Sequence, residues 1–140
     1  MTRRSFIPNR YYFQRWVNNA LLDRTRLSEI TIRLVDKKES TDLNETFRHK
    51  KGPTNILSFP FDPPPDVHSP LLGDLVIYAG LVNQEAKQQK KTRLAHWAHL
   101  VIHGCLHLVG YDHGNEEDAT KMETLEIQLL QELGYENPYL

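Results

Sequence analysis

Histidines at metal-ligand spacing are the first chemical signal in this 140-residue chain. Five of its seven histidines lie between positions 96 and 113. His103 and His107 are four residues apart, which on an α-helix places both imidazoles on one face, one turn apart. Gly110 permits a left-handed turn that ends the helix, so that His113 can approach the same ion from a third direction. We therefore predict that His103, His107 and His113 bind one metal ion.

The composition of this ligand set indicates which metal it holds and what the metal does. Three histidines with one open coordination position are typical of catalytic zinc, whereas closed structural sites usually take four protein ligands that include cysteines. The residues around the histidines, from Leu94 to Val109, are almost all apolar, so we expect a buried helix. A buried imidazole needs a partner for each nitrogen, and a shared zinc ion supplies one.

A second histidine pair offers an alternative ligand set. His99 lies four residues before His103 and is the main rival ligand. A site built on His99 and His103 would leave out His107 and the ligand that follows the glycine. We therefore interpret His96 and His99 as structural or supporting groups. Cys105 lies roughly 200° around the helix from His103 and is predicted to belong to the core.

The residue that follows the first histidine bears on the reaction. Metzincin proteases have the same ligand spacing, but they carry a glutamate directly after the first histidine, and it acts as the general base. This chain has Gly104 at that position. Peptidase chemistry therefore lacks its usual base, and the sequence disfavours a protease.

The elements that must position these residues follow from periodicity and breaks. Leu43 and Phe47, at i and i+4, give the second helix its apolar spacing, and a run of prolines at 63–65 marks a loop. We predict helices over residues 10–24, about 40–48, 81–90, 92 to about 108, and 116–133, and strands over 30–35, 54–60 and 75–78. Interleaved helices and strands predict one α/β or α+β domain over residues 1–140.

Composition and charge exclude several classes of protein. The chain is 39% hydrophobic and 25% charged, with a net charge of −1 and one cysteine, as in an ordinary globular protein. It has no apolar run of membrane-spanning length, and residues 5–10 supply no apolar stretch of a secretory signal. We expect a cytoplasmic protein that does not bind membranes. The local basic clusters at 48–51 and 87–93 are, on charge alone, solvated faces.

Four motifs together carry a family resemblance. The sequence His-Gly-Cys-Leu-His-Leu-Val-Gly-Tyr-Asp-His (103–113) resembles the YbeY family, the metal-dependent endoribonucleases of ribosomal RNA maturation. Arg48 followed by Pro-Thr-Asn-Ile-Leu-Ser-Phe-Pro (53–60) matches a second signature of that family. Leu-Gly-Asp-Leu-Val-Ile (72–77) and Ala-His-Trp-Ala-His (95–99) match two more. The resemblance extends from about Ile30 to the C-terminus.

The resemblance implies a fold, an activity and partners. The implied fold is α/β, with a mixed four-stranded sheet covered by about five helices. The implied activity is zinc-dependent, single-strand-specific cleavage of RNA, serving 3′-end maturation of 16S ribosomal RNA and ribosome quality control. Single-stranded ribosomal RNA, ribosome components and assembly factors are the implied partners.

Arg48 is the candidate catalytic residue that the resemblance adds. A zinc ion can stabilise negative charge on a phosphodiester and can lower the pKa of bound water. The planar guanidinium of Arg48 suits phosphate oxygens as a second cation. No general base is evident from the sequence. Two alternatives stay open, namely a zinc hydrolase acting on a substrate other than RNA and a non-catalytic assembly protein with structural zinc.

Overall fold

Five helices and three strands follow one another in a computed structural model that describes residues 5–22, 24–25, 29–112 and 114–140. Their order along the chain is α1 (Arg10–Leu21), β1 (Glu29–Val35), α2 (Lys37–Arg48), β2 (Ile56–Pro60), β3 (Leu71–Tyr78), α3 (Ala79–Gln88), α4 (Arg93–Val109) and α5 (Glu116–Glu132). Each helix and strand that the periodicity of the sequence predicts is present, with ends that differ from the prediction by up to four residues. The architecture is α+β.

Capping side chains set where several helices begin. Asp36 accepts a hydrogen bond from the Glu39 amide, so α2 starts three residues earlier than the apolar spacing predicted. Thr92 caps α4 in the same way. Asn115 accepts from the Asp118 amide at the start of α5, and three acidic residues fill the first turn. These N-terminal caps fix where the helices that carry the site begin.

The sheet is mixed, but it has three strands in the described part of the chain rather than the predicted four. Its order is β1-β3-β2, with β1 parallel and β2 antiparallel to β3. The prediction of a fourth strand, which came from the family resemblance, is wrong. Between β2 and β3 the chain runs through prolines 63–65, which have no N–H to donate and so cannot form a central strand.

Helix α4 is the centre of the packing, because it contacts α1, α3, α5, β2 and β3. Its face toward the sheet depends on Gly104. A Cβ at this position would lie 2.7 Å from Leu75 Cδ2 and 3.0 Å from Ile56 Cδ1, so a larger side chain would require these two buried side chains to shift. Glycine after His103 therefore allows α4 to lie close to the sheet.

The C-terminal end of α4 turns the chain as predicted. Gly110 has a φ of 116°, and its N–H donates to the carbonyls of Leu106 and His107. The Tyr111 amide then donates to Leu106 O, which completes a glycine C-cap.

Cys105 is fully buried, as predicted for a core residue, and burial raises the pKa of its thiol to about 12. None of the helices in the described ranges is long and apolar enough to cross a membrane.

Candidate metal centre

His103 and His107 present their imidazoles to one side of α4 and converge at its surface. Their Nε2 atoms face each other at 3.0 Å, and the His103 side chain is 24% exposed. Two nitrogens that share one tetrahedral zinc, each at about 2.0–2.1 Å from it, lie roughly 3.3 Å apart. The spacing of this pair, and its nitrogen donors, therefore fit a zinc ion.

A buried carboxylate holds the other side of the His103 ring. Glu126 of α5 is 0% exposed, and its Oε1 accepts a hydrogen bond from His103 Nδ1. Its Oε2 accepts from His99 Nε2 at 2.9 Å and from the Tyr139 hydroxyl. A proton on Nδ1 selects the tautomer whose Nε2 carries a lone pair, which is the atom that a metal would use.

The charge of Glu126 follows from its partners. Burial raises the pKa of this carboxyl, but hydrogen bonds from His103, His99 and Tyr139 outweigh it and hold the pKa well below its usual value. Burial and the neighbouring carboxylate raise the pKa of Tyr139, so the phenol keeps its proton and donates. A buried negative charge thus lies directly behind His103, where it favours a cation in front of the ring.

His99 is oriented toward Glu126 and not toward the Nε2 pair. Its Nε2 is bonded to the carboxylate, and its ring meets Tyr139 edge-on, with the centroids 5.3 Å apart. Its Nδ1 is buried and has no hydrogen-bond partner among the described residues. This geometry agrees with the interpretation of His99 as a supporting group.

A second histidine–carboxylate pair lies further toward the N-terminus of α4. His96 Nε2 donates to Glu85 Oε1 of α3 at 3.0 Å, and Asn55 Nδ2 donates to the same oxygen at 2.9 Å. Burial raises the pKa of Glu85, but these two hydrogen bonds and the charge of His96 outweigh it, and the pKa lies below its usual value. The pair ties α3 and α4 to the start of β2.

The third predicted ligand, His113, lies outside the described residues. Among the residues that the structure does describe, no three His, Cys, Asp or Glu side chains are arranged to hold a metal ion. The structure thus brings together two of the three predicted ligands, His103 and His107. The complete triad stays a prediction.

A cleft of about 680 Å³ opens over the histidines and also contains Arg48. Arg48 is the last residue of α2, is exposed, and forms no ion pair or hydrogen bond with any described residue. Side chains from the end of α2, from β2, from α4 and from the C-terminal segment form the walls: Phe47, Arg48, Asn55, Ile56, Leu57, Ser58, Phe59, Pro60, His99, Leu100, His103, His107, Asp112 and Tyr139. The predicted catalytic cation and two predicted metal ligands therefore share one cleft.

Glu126 and Tyr139 belong to this site, and the sequence analysis missed both. A signal for Glu126 was present in the sequence, because it interrupts the apolar stripe of α5 between Met122 and Leu129. A charge on a buried helix face must be paired, and a histidine-rich helix is the obvious partner. Tyr139 carries no comparable signal, since it lies in the irregular C-terminal segment.

Comparisons with known proteins point to one family. The family model described as endoribonuclease YbeY matches residues 8–134. The fold is also similar to the solution structure of TM1509 from Thermotoga maritima, with a TM-score of 0.57 and 25% sequence identity. That match covers 88% of this chain and 82% of the other.

Proposed function

Because this chain belongs to the YbeY endoribonuclease family, we propose that it is a zinc-dependent endoribonuclease that cuts single-stranded RNA. Its proposed role is 3′-end maturation of 16S ribosomal RNA and ribosome quality control in the cytoplasm. Ribosome components and assembly factors are the proposed partners, and residues 1–140 the proposed catalytic domain. Family membership supports an endoribonuclease of ribosomal RNA processing. The zinc dependence, the preference for single strands and the role in 16S maturation are the further parts of the proposal.

One observation carries the proposal, namely the position of two convergent imidazoles and a guanidinium in one open cleft. The Nε2 atoms of His103 and His107 lie 3.0 Å apart, within hydrogen-bonding distance, and Arg48 lies on the cleft wall formed by the end of α2. Hydrolysis of a phosphodiester builds negative charge on the phosphoryl oxygens, which cations must stabilise. The cleft supplies donors for one cation and contains another.

The residues of the chain have separate roles in this mechanism. His103, His107 and His113 would hold the zinc ion, which when bound supplies a Lewis acid for the phosphoryl oxygens. Glu126 fixes the orientation and tautomer of His103 by accepting its Nδ1 proton. Arg48 binds phosphate oxygens through its planar fork and stabilises the charge that develops on them.

The residue at position 104 argues against the metzincin peptidase mechanism. Metzincins use a glutamate directly after the first histidine as the general base, and this chain has glycine there. A side chain at this position would point at Leu75 and Ile56 of the sheet, which would have to shift to accommodate it.

Cleavage of defined RNAs tests the proposal. We expect the full chain to cut a single-stranded RNA that spans the 3′ end of 16S precursor RNA, and to leave a duplex of the same sequence intact. A chelator should stop cleavage, and added zinc should restore it. Equal cleavage of both substrates would overturn the strand preference, and cleavage that chelation leaves unchanged would overturn the zinc dependence. No cleavage of any RNA by the zinc-loaded chain would overturn the nuclease itself.

A further inference from the structure

Phe47 is exposed although its spacing predicts a place on the apolar face of a helix. Leu43 and Phe47 are at i and i+4 of α2, yet Phe47 is 59% exposed, while Leu43 is half-buried. Neither Phe47 nor Phe59 belongs to the hydrophobic core or to the side chains packed against it. An exposed aromatic ring at a cleft, where the pattern predicts burial, is a mark of a binding surface.

Phe59 of β2 supports the Phe47 ring from one side. The ring centroids are 5.2 Å apart and the planes meet at 77°, so the edge of one ring meets the face of the other. In this arrangement at least one face of Phe47 is not covered by Phe59. Both rings line the cleft that contains His103 and His107.

The charges beside Phe47 indicate what would cover that face. Arg48 is the next residue and lines the same cleft, and Lys50 and Lys51 follow it as exposed cations. A planar apolar ring next to cations that attract phosphate is the combination by which proteins bind single-stranded nucleic acid. If an acidic, apolar segment of a partner protein covers the ring instead, Phe47→Ala leaves the binding of a single-stranded oligonucleotide unchanged.

We propose that Phe47, held by Phe59, is a stacking subsite for one unpaired nucleobase of the RNA whose phosphate lies at Arg48. The inference rests on the proposed function and gives a physical cause for its strand preference. A base in a duplex is already paired and stacked, so its face is not available to Phe47, whereas an unpaired base can be turned out onto the ring.

Variants at Phe47 separate stacking from general apolar contact. We would mix the zinc-loaded full chain with a fluorescein-labelled oligoadenylate of eight nucleotides, or with an abasic oligomer of equal length. Stopped-flow anisotropy would then read binding before cleavage. Phe47→Ala and Phe47→Leu should weaken oligoadenylate binding by about 5- to 100-fold, because both lack a ring. Phe47→Trp should bind at least as tightly as the wild type. Binding of the abasic oligomer should be the same in all variants.

Tyr11 offers a matched control, since it is an exposed ring (63%) that also meets a neighbour edge-on. It lies on α1, away from the cleft, so Tyr11→Ala should bind both oligomers normally. Wild-type oligoadenylate affinity in Phe47→Ala, or an equal loss on the abasic oligomer, would overturn the subsite. If the wild type cuts RNA normally and Phe47→Ala also binds normally, only the subsite fails. If the wild type neither binds nor cuts RNA, the proposed function fails with it.

Discussion

Helix α4 carries three histidines that each donate to a carboxylate of a neighbouring helix, but only His99 and His103 line the cleft, whereas His96 does not. His96 bonds to Glu85, and its Nδ1 is buried with no partner in the described part of the chain. His103 bonds to Glu126, and its Nε2 faces His107 Nε2 at 3.0 Å. We therefore regard a carboxylate-bound histidine as a candidate metal ligand only where its second ring nitrogen lies beside another potential metal ligand in the open cleft.

The two pairs also differ in what they hold in place. Glu85 accepts a hydrogen bond from the Asn55 side chain as well as from His96, and the Asn55 carbonyl accepts a hydrogen bond from the Tyr78 amide. This pair therefore joins α3, α4 and the beginning of β2. Glu126 joins α5, α4 and Tyr139 of the C-terminal segment. We therefore assign Glu85–His96 to the packing of α3 and α4 against β2, and Glu126–His103 to the candidate metal centre.

The largest effect that tests this difference is loss of the metal. We expect His107→Ala to retain close to no zinc, because it removes the donor opposite His103, whereas His96→Ala and His99→Ala should keep one zinc per chain. Elemental analysis of proteins purified without added metal measures this. Zinc retained in His107→Ala but lost in His99→Ala would reverse the ligand assignment.

The next effect concerns the cation that shares the cleft with the Glu126 pair. Arg48→Ala should lower the single-turnover cleavage rate by about 10²–10³, or roughly 3–4 kcal/mol, because it removes charge stabilisation from the transition state. Arg48→Lys should recover part of the rate, since an ammonium keeps the charge but not the bidentate fork. Zinc content should not change in either variant.

Lys51→Ala is the matched control for Arg48, as it removes a nearby exposed cation that does not line the cleft. It should weaken RNA affinity modestly and in a salt-dependent way, and leave the chemical step nearly intact. A normal single-turnover rate in Arg48→Ala would remove this residue from the mechanism.

A smaller effect separates the two carboxylates directly. Glu126→Gln should weaken zinc binding by about 10- to 100-fold, because the neutral amide no longer favours the Nδ1-protonated ring or a cation in front of it. Glu85→Gln makes the same change at the other pair and should leave zinc affinity unchanged. Competition with a chromophoric chelator measures both constants. Equal affinities in the two variants would show that Glu126 has no special link to the metal.

The smallest effect is a pH dependence of stability at the Glu85 pair. The pKa of Glu85 is lowered in the folded state, so its ionised form stabilises the fold above the unfolded pKa of about 4.3–4.5, and this stabilisation is lost as pH falls through the lower folded pKa. Glu85→Gln should therefore lower the melting temperature at pH 7 and approach the wild type in acid. A difference in melting temperature that stays constant from pH 7 to pH 3 would contradict the assignment.

Local patterns in the sequence predict the elements better than their ends or their pairing. The spacing of Tyr12, Phe13 and Trp16 predicts both a helix and a core cluster, and Trp16 is fully buried with the other two packed against the core. Strand β3 begins at Leu71, four residues earlier than predicted, because Gly73 and Asp74 also pair with β1. The number of strands depends on distant pairing, which local spacing does not contain.

In the candidate site, too, local spacing predicts some residues, while others come together only through tertiary packing. His103 and His107 are one helical turn apart, so their convergence follows from the geometry of a single helix. Glu126 and Tyr139 reach them only through the packing of α5 and the C-terminal segment on α4. Local spacing also predicts that Phe47 lies on an apolar face, but the fold leaves that face open at the cleft.

A zinc titration with cleavage as the readout tests the central claim most directly. The chain would be stripped of metal, checked by elemental analysis and titrated with zinc while it acts on a fluorescent single-stranded RNA. We predict no cleavage by the stripped chain, full return at one zinc per chain, and no return in His107→Ala. Undiminished cleavage by the stripped chain, or the same return in His107→Ala as in the wild type, would contradict a catalytic zinc at this pair of histidines.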